Sequence, residues 1–385
     1  MSEQTDVCDE HDPRVVAAAI TSLPGIGPQR LRLLVDGLGP LEAWRVVRGE
    51  TAAPDHLAAL LRHDGLDRAL RRTATRELIE RTDDAVRASH IRVLLSSDLE
   101  YPASMRGDFA APAVLFARGN LATFDKRRVG IIGTRAASAS GRHFARRLAG
   151  DLARNGVAVV SGLARGIDAA AHRGVLDDDE VTGSPIGVVA SGLDVVYPRE
   201  HASLWSRVIE RGVLVSESPP GCSPDAFRFP LRNRILAMVS EVLVVVESRA
   251  TGGSMITVDE AVKRGVTVMA VPGSPHAESS AGTNRLIADG ATTVCDVGDV
   301  LVALGLDHQH HSTSSDARPR PSARDARVLR ELAKQPATFD HLVAALDMPV
   351  VEVAISLGRL EVQGWAVSNG GWWEALLPRE LPFER

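Results

Sequence analysis

Between about Ile91 and Leu306 the chain alternates short, unbroken apolar runs with stretches whose apolar positions recur every three or four residues. The runs are Val129–Ile132, Val157–Val160, Ile186–Ala190, Val213–Ser216, Val242–Val246, Val266–Val271 and Thr292–Cys295. A strand covered by helices on both faces buries all of its side chains, so it reads as a continuous apolar run and not as an alternating one. The intervening stretches Gly141–Arg154, Glu200–Arg211 and Met255–Arg264 carry helical spacing and close on Asn-Gly or Arg-Gly, a helix C-terminal signal. This pattern predicts an α/β domain built on a parallel sheet.

The flanks read differently. Residues 13–89 carry Leu, Ala and Val at helical spacing, and Ile20-Thr21-Ser22-Leu23-Pro24-Gly25-Ile26-Gly27-Pro28-Gln29-Arg30-Leu31 has the pattern of a helix-hairpin-helix turn. Gly25 and Gly27 are expected to take φ > 0 there, leaving free amides at the next helix's start, where a phosphate could sit; a plain helix–helix turn is the other reading. Residues 323–378 read as helices Asp325–Ala333, Thr338–Leu346 and Val350–Gln363, then two strands around Asn369-Gly370-Gly371, which is a winged-helix pattern. The exposed face of Val350–Leu360 is expected to show Glu352, Ser356 and Arg359, poor in positive charge for a major-groove reader, so a partner-binding or autoregulatory wing is at least an equal reading. The expected division is an acidic tail (1–12), a helical domain (13–89), the sheet domain (90–306), a flexible linker (307–322) and the wing (323–378).

Composition narrows the classes. With 44% hydrophobic and 24% charged residues the chain is an ordinary folding protein. No apolar run approaches a membrane span, and the first thirty positions are acidic where a signal peptide is basic and then greasy, so a soluble, cytoplasmic protein is expected. Cys8, Cys222 and Cys295 are odd in number and lack CxxC spacing, which argues against disulfides and zinc. His308, His310 and His311 fall in a Ser/Thr/Arg-Pro tether without a fixed second shell, so no metal is assigned to them. The net charge of −5 excludes a DNA-coating protein, so any nucleic-acid site must be local.

In an open parallel sheet ligands bind beyond the strands' carboxyl ends. Those ends carry Gly133-Thr134-Arg135, Ser161-Gly162 through Gly166-Ile167-Asp168, Ser191-Gly192-Leu193-Asp194, Glu217-Ser218, Glu247-Ser248-Arg249 and Pro272-Gly273-Ser274. Glycines admit backbone amides to a phosphate, hydroxyls add donors and helix N-termini add dipoles, so these loops describe an anion cradle. GxxxxGK[ST] is absent, and the first strand is followed by Gly133-Thr134-Arg135 and not GxGxxG, which argues against an NTPase and against a dinucleotide cofactor; no cofactor is assigned. Phe227-Arg228-Phe229-Pro230-Leu231-Arg232-Asn233-Arg234 supplies guanidinium groups for phosphates and aromatic rings for unpaired bases.

Taken together these motifs resemble the DprA/Smf family of bacterial DNA-processing proteins. The family's G-[ST]-R stands at Gly133-Thr134-Arg135, S-G-x-A-x-G-I-D at Ser161 to Asp168, G-x-D-x-x-Y-P at Gly192 to Pro198, and F-P-x-R-N-R-I at Phe229 to Ile235. Gly252-Gly253-Ser254-Met255-Ile256-Thr257-Val258, Pro272-Gly273 and Gly282 to Ile287 follow in the family's order, with Gly252, Val258 and Val266 departing from its usual residues. The resemblance implies an extended Rossmann-like domain that binds single-stranded DNA as a homodimer without catalysing a reaction, protects incoming DNA in natural transformation and loads RecA. It also implies that Arg135, Arg232 and Arg234 hold phosphates. Gly133, Thr134, Ser161, Gly162, Gly166 and Gly273 line the cradle, Phe229 stacks on or buttresses a base, and Asn233 bonds a phosphate or a loop. Asp168, an acid at a helix start, is expected to orient the glycine loop. The strand Val242–Val246 and the helix Met255–Arg264 are expected near a dimer edge. The alternative is a nucleotide-binding module or a phosphoribohydrolase of the same fold, in which Thr257 and Glu260 would match the catalytic loop but Ile256 would crowd the phosphate.

Overall fold

The computed structural model describes residues 11–62, 65–306 and 318–377. Cys8, nearly all of the acidic tail and the His308, His310 and His311 cluster lie outside the described residues.

The centre is a nine-stranded sheet of β1 (Arg92–Leu95), β2 (Val114–Gly119), β3 (Arg128–Ile132), β4 (Ala158–Ser161), β5 (Pro185–Val188), β6 (Val213–Ser216), β7 (Val242–Val245), β8 (Thr267–Ala270) and β9 (Thr292–Thr293). Its order is β1-β2-β6-β5-β4-β3-β7-β8-β9. The strands from β3 onward are parallel to one another, with Val129 of β3 opposite Val159 on β4 and Val242 on β7. The seven apolar runs are these seven strands. From β3 to β7 burial on both faces explains the unbroken pattern, since Ala145, Leu148 and Leu152 of helix Ala139–Arg154 cover one face and Ile235, Leu236 and Val239 of helix Arg228–Val239 cover the other, whereas β8 and β9 are partly exposed.

Two further features define the sheet. The sheet is extended by β1 and β2, which run antiparallel to each other, while β2 runs antiparallel to β6. And β7 is central, hydrogen-bonded on both sides, so Val242–Val246 borders no edge of the sheet.

The N-terminal helices do not bury their apolar faces alone. Ala17, Ile20, Leu34 and Trp44 belong to one core with Val93, Phe116, Trp205 and Leu214 of the sheet region. In the helix-hairpin-helix turn only Gly25 takes a positive φ (70°); Gly27 is extended at φ −87°, ψ 174°, and caps helix Pro28–Leu38.

The C-terminal part has helices Ala323–Lys334, Phe339–Leu346 and Val350–Val362, and a hairpin Ala366–Asn369/Trp372–Ala375 that a short strand, Ala337–Thr338, completes to three strands. Ser356 is not exposed as expected but fully buried. Glu352, Ser356 and Arg359 are spaced i, i+4, i+7 on one helix face, and that face meets helix Ala323–Lys334, where Arg324 pairs with Glu352 at 3.4 Å and Asp325 with Arg359 at 3.7 Å. The expected flexible linker is strapped down over its described end: Arg318 lies over the Trp365 ring at 3.8 Å and donates to the Leu376 carbonyl, and Trp365 Nε1 donates to the Pro319 carbonyl at 2.8 Å. Among the described residues no single helix is long and apolar enough to cross a membrane.

Candidate nucleic-acid interface

Following β3, the chain runs through β4, β5 and β6 on one side and then returns to β7, β8 and β9 on the other. The turning point lies between β3 and β7, and loops leaving adjacent strands in opposite directions part there and open a crevice. A cleft of about 390 Å³ occupies that place. Gly133, Thr134 and Arg135 from the loop after β3 line it, with Arg249 and Gly252 to Ser254 from the segment after β7, Ala164 and Asp168 after β4, and Phe229, Arg232 and Asn233 from the helix Arg228–Val239.

Of the helix N-termini near this crevice, two are in sharp contrast. The start of Ala139–Arg154 is already satisfied: the Ser138 hydroxyl accepts from Gly141 N, while Glu247 accepts from both the amide and the hydroxyl of Ser138. Glu374 of the C-terminal hairpin accepts from Ser140 N at 3.3 Å. The start of Gly253–Val262 has neither a side-chain cap nor an acid in its first turn, and Gly252, Gly253 and Ser254 face the cleft. Its unbonded amides and dipole offer an anion a seat.

The floor is Arg232. It is only 6% exposed, and its guanidinium rests against Gly162 so closely that a Cβ on Gly162 would fall 1.7 Å from Nη1. Among the described residues no carboxylate lies within salt-bridge distance of it, and Nε has no hydrogen-bond partner. Asp168, which lines the same cleft, is the acid whose charge acts on it. That carboxylate accepts from Gly162 N at 3.1 Å, and burial pushes its pKa up to about 6 against the pull of Arg232 and of the Ala164 and Gly162 amides. Burial in turn pulls the Arg232 pKa down, with Asp168 opposing and Arg135 assisting. Asp168 therefore orients the glycine loop, as expected, but it also lines the cleft.

At the rim, Arg135 is exposed and its Cζ stands 4.8 Å from the centroid of the half-buried Phe229 ring, a cation–π contact that holds the guanidinium over the opening. Thr134 N donates to the Glu247 carbonyl at 2.7 Å, which ties the loops after β3 and β7 together. Asn233 Nδ2 reaches the Gly253 carbonyl at 3.4 Å.

Several expected cradle residues do not face the cleft. Arg234 is buried, with its guanidinium bound to the Glu217 carboxylate and the Ala110 carbonyl, so it is occupied in the fold. Ser161 is fully buried and donates to the Ile131 carbonyl at 2.6 Å. Gly166 (φ 78°) is glycine because a Cβ would strike the Thr134 carbonyl oxygen at 2.3 Å, and Gly162 is glycine to admit Arg232. Gly273 exchanges two hydrogen bonds with the Asn284 amide, and a Cβ there would meet Ser280 Oγ at 2.1 Å. The six strand ends do not converge on one site: the loops after β5, β6 and β8 stay outside the cleft. Arg249, which stands among the strand ends but not among the expected phosphate-holding arginines, lines the cleft just after a switch-point strand.

Comparison with known proteins is decisive for the family. The model of DNA recombination-mediator protein A matches residues 92–305, more than half of the chain, and the model of the DprA winged helix domain matches residues 312–371. The chain belongs to the DprA family. Among its relatives, a putative DNA processing protein DprA of Mycobacterium tuberculosis is 35% identical over 95% of both chains. Protein Smf of Escherichia coli is 34% identical over 72% of this chain and 76% of its own. The X-ray structure of DprA from Streptococcus pneumoniae superposes with a TM-score of 0.62 at 28% identity, covering 76% of this chain and 98% of that one. The structure of DprA from Helicobacter pylori, described in terms of its single-stranded DNA binding mode, superposes at 0.51 and 26% identity over 57% and 98%. In this DprA-family protein the mostly parallel Rossmann-like sheet, the N-terminal helices and the C-terminal winged helix are all present.

Proposed function

We propose that this protein holds single-stranded DNA in the switch-point cleft without chemical turnover, protects strands entering recombination or natural transformation, and loads RecA onto them, acting in the cytoplasm as a homodimer. The observation that carries this reading is Arg232, a nearly buried guanidinium on the cleft floor with no carboxylate in reach among the described residues. A buried charge is costly unless it is paired, and a phosphate oxygen would pair it. Arg135 at the rim and the uncapped start of Gly253–Val262 add a second cation and a set of free amides, which fits a chain of phosphates better than a single one. The Helicobacter pylori relative's described binding mode supports the same ligand class.

The hydrolase alternative loses its catalytic group. Glu260 is not in the cleft; its two carboxylate oxygens are held by Lys263 at 2.8 Å and Arg264 at 2.7 Å. The test is a titration of a fluorescent single strand and of a duplex of equal length, followed by RecA filament assembly on strands coated with single-strand-binding protein. Preferential binding of the single strand and faster assembly support the proposal. Tight binding or cleavage of a nucleoside monophosphate with no strand binding overturns it.

A further inference from the structure

One aromatic ring beside the cleft is not accounted for by the cradle. Tyr197 follows β5, just outside the lining of the cleft, and is 42% exposed. Its exposure does not come from a loose loop. Asp194 accepts twice from Gly221 N at 2.9 and 2.8 Å, Ser191 Oγ donates to the Val195 carbonyl at 2.7 Å, and His201 Nδ1 meets the Leu163 carbonyl at 2.9 Å. Leu193 and Pro198 on either side are buried. The segment is anchored at both ends, and the ring is held out from it.

The Tyr197 and Phe229 centroids are 5.9 Å apart, with the rings inclined by 58°. A base sandwiched between two rings needs parallel faces about 7 Å apart, twice the 3.4 Å stacking distance. These rings are too close and too inclined for that, so they cannot share one base. Phe229 is in addition half-buried and has Arg135 over it. Its service is to place that guanidinium, and Tyr197, in ring contact with Phe229, leaves aromatic surface open beside the cleft. Arg165 reaches the same segment: its exposed guanidinium is bound to the carboxylate of Glu200, three positions beyond Tyr197.

We propose that Tyr197 is a base-stacking position next to the phosphate cradle, so that the strand leaves the cleft over the segment following β5, with Arg165 exchanging Glu200 for a backbone phosphate. The inference rests on the single-strand reading above and adds a direction to it. The ligand is a nucleotide base flanked by phosphates, recognised by its π-face and therefore without strong sequence preference.

The test compares wild type, Tyr197→Ala and Tyr197→Phe in the full chain, each titrated with a fluorescent oligothymidine and with an abasic strand of equal length. Loss of one stacked base should weaken Tyr197→Ala by about 5- to 150-fold on oligothymidine, with Tyr197→Phe staying within about twofold of wild type. On the abasic strand all three should bind alike, and the salt slope should be unchanged because no phosphate contact is removed. Equal binding of oligothymidine by wild type and Tyr197→Ala overturns the inference alone, as does an equal loss on both strands. Failure of wild type to bind either strand overturns the single-strand reading together with it.

Discussion

Gly162→Ala offers a way to move the cleft floor without deleting a charge. The added Cβ would lie 1.7 Å from Nη1 and 2.5 Å from Cζ of Arg232, whereas ordinary contact begins at 3.4 Å, so the guanidinium has to retreat by about 1.7 Å. It is the far end of a flexible side chain, so the fold can accommodate this with a loss of about 1–3 kcal/mol. A phosphate hydrogen bond does not survive such a displacement. A hydrogen bond to a charged group is worth about 1.5–3 kcal/mol, which corresponds to roughly 10- to 150-fold in affinity. Fluorescence anisotropy with a single-stranded oligonucleotide reads the affinity, and urea unfolding reads the stability. Arg232→Ala should lose affinity to a similar degree, and Gly162→Ala combined with Arg232→Ala should be no worse than Arg232→Ala alone, because both act through one guanidinium. Wild-type affinity in Gly162→Ala, with the salt slope intact, would refute the placement of a phosphate on Arg232.

Two further outcomes follow from neighbouring groups. Asp168, with a pKa of about 6 in the free protein, faces the same cleft, and an arriving phosphate raises that value further; binding then takes up a proton, so affinity should be flat below about 6, fall as pH rises from there to the raised bound-state value and level off beyond that, and Asp168→Asn should abolish the dependence. A pH profile identical in the variant would remove Asp168 from the site. Arg234→Ala should cost about 3–5 kcal/mol in urea unfolding, because it strands the Glu217 carboxylate, whose pKa burial already pushes up, while leaving the salt slope of DNA binding unchanged. A flatter slope at full stability would return Arg234 to the phosphate path.

The residues show why the sheet was more legible than the site. Val129–Ile132 and Val242–Val245 are packed on both faces, and that burial writes itself into the chain as unbroken β-branched runs. β1 and β2 escape the same reading, since β2 opens after Pro112 on Val-Leu-Phe-Ala and β1 has four residues, the first of them exposed. At the site, glycine carries two meanings that composition cannot separate. Gly253 stands at an uncapped helix start with open space beside it, whereas Gly166 and Gly273 are glycine because other protein atoms approach them. Arginine is ambiguous in the same way: Arg232 and Arg234 are two positions apart on one helix, and only the partner of each, a cleft or a carboxylate, separates ligand contact from scaffold. What sharpens the choice is topology. Once the strand order places the switch between β3 and β7, the loops after these strands are selected and those after β5, β6 and β8 are not.

The most direct test of the central claim is the salt dependence of single-strand binding by wild type and Arg135→Ala, measured in parallel from low to physiological ionic strength. Counterion release gives a slope of about −0.7 per phosphate neutralised, so the account predicts steep, salt-sensitive binding by wild type and a slope flatter by about 0.7 in the variant. Identical slopes for the two proteins, or binding by wild type that is indifferent to salt, would contradict it.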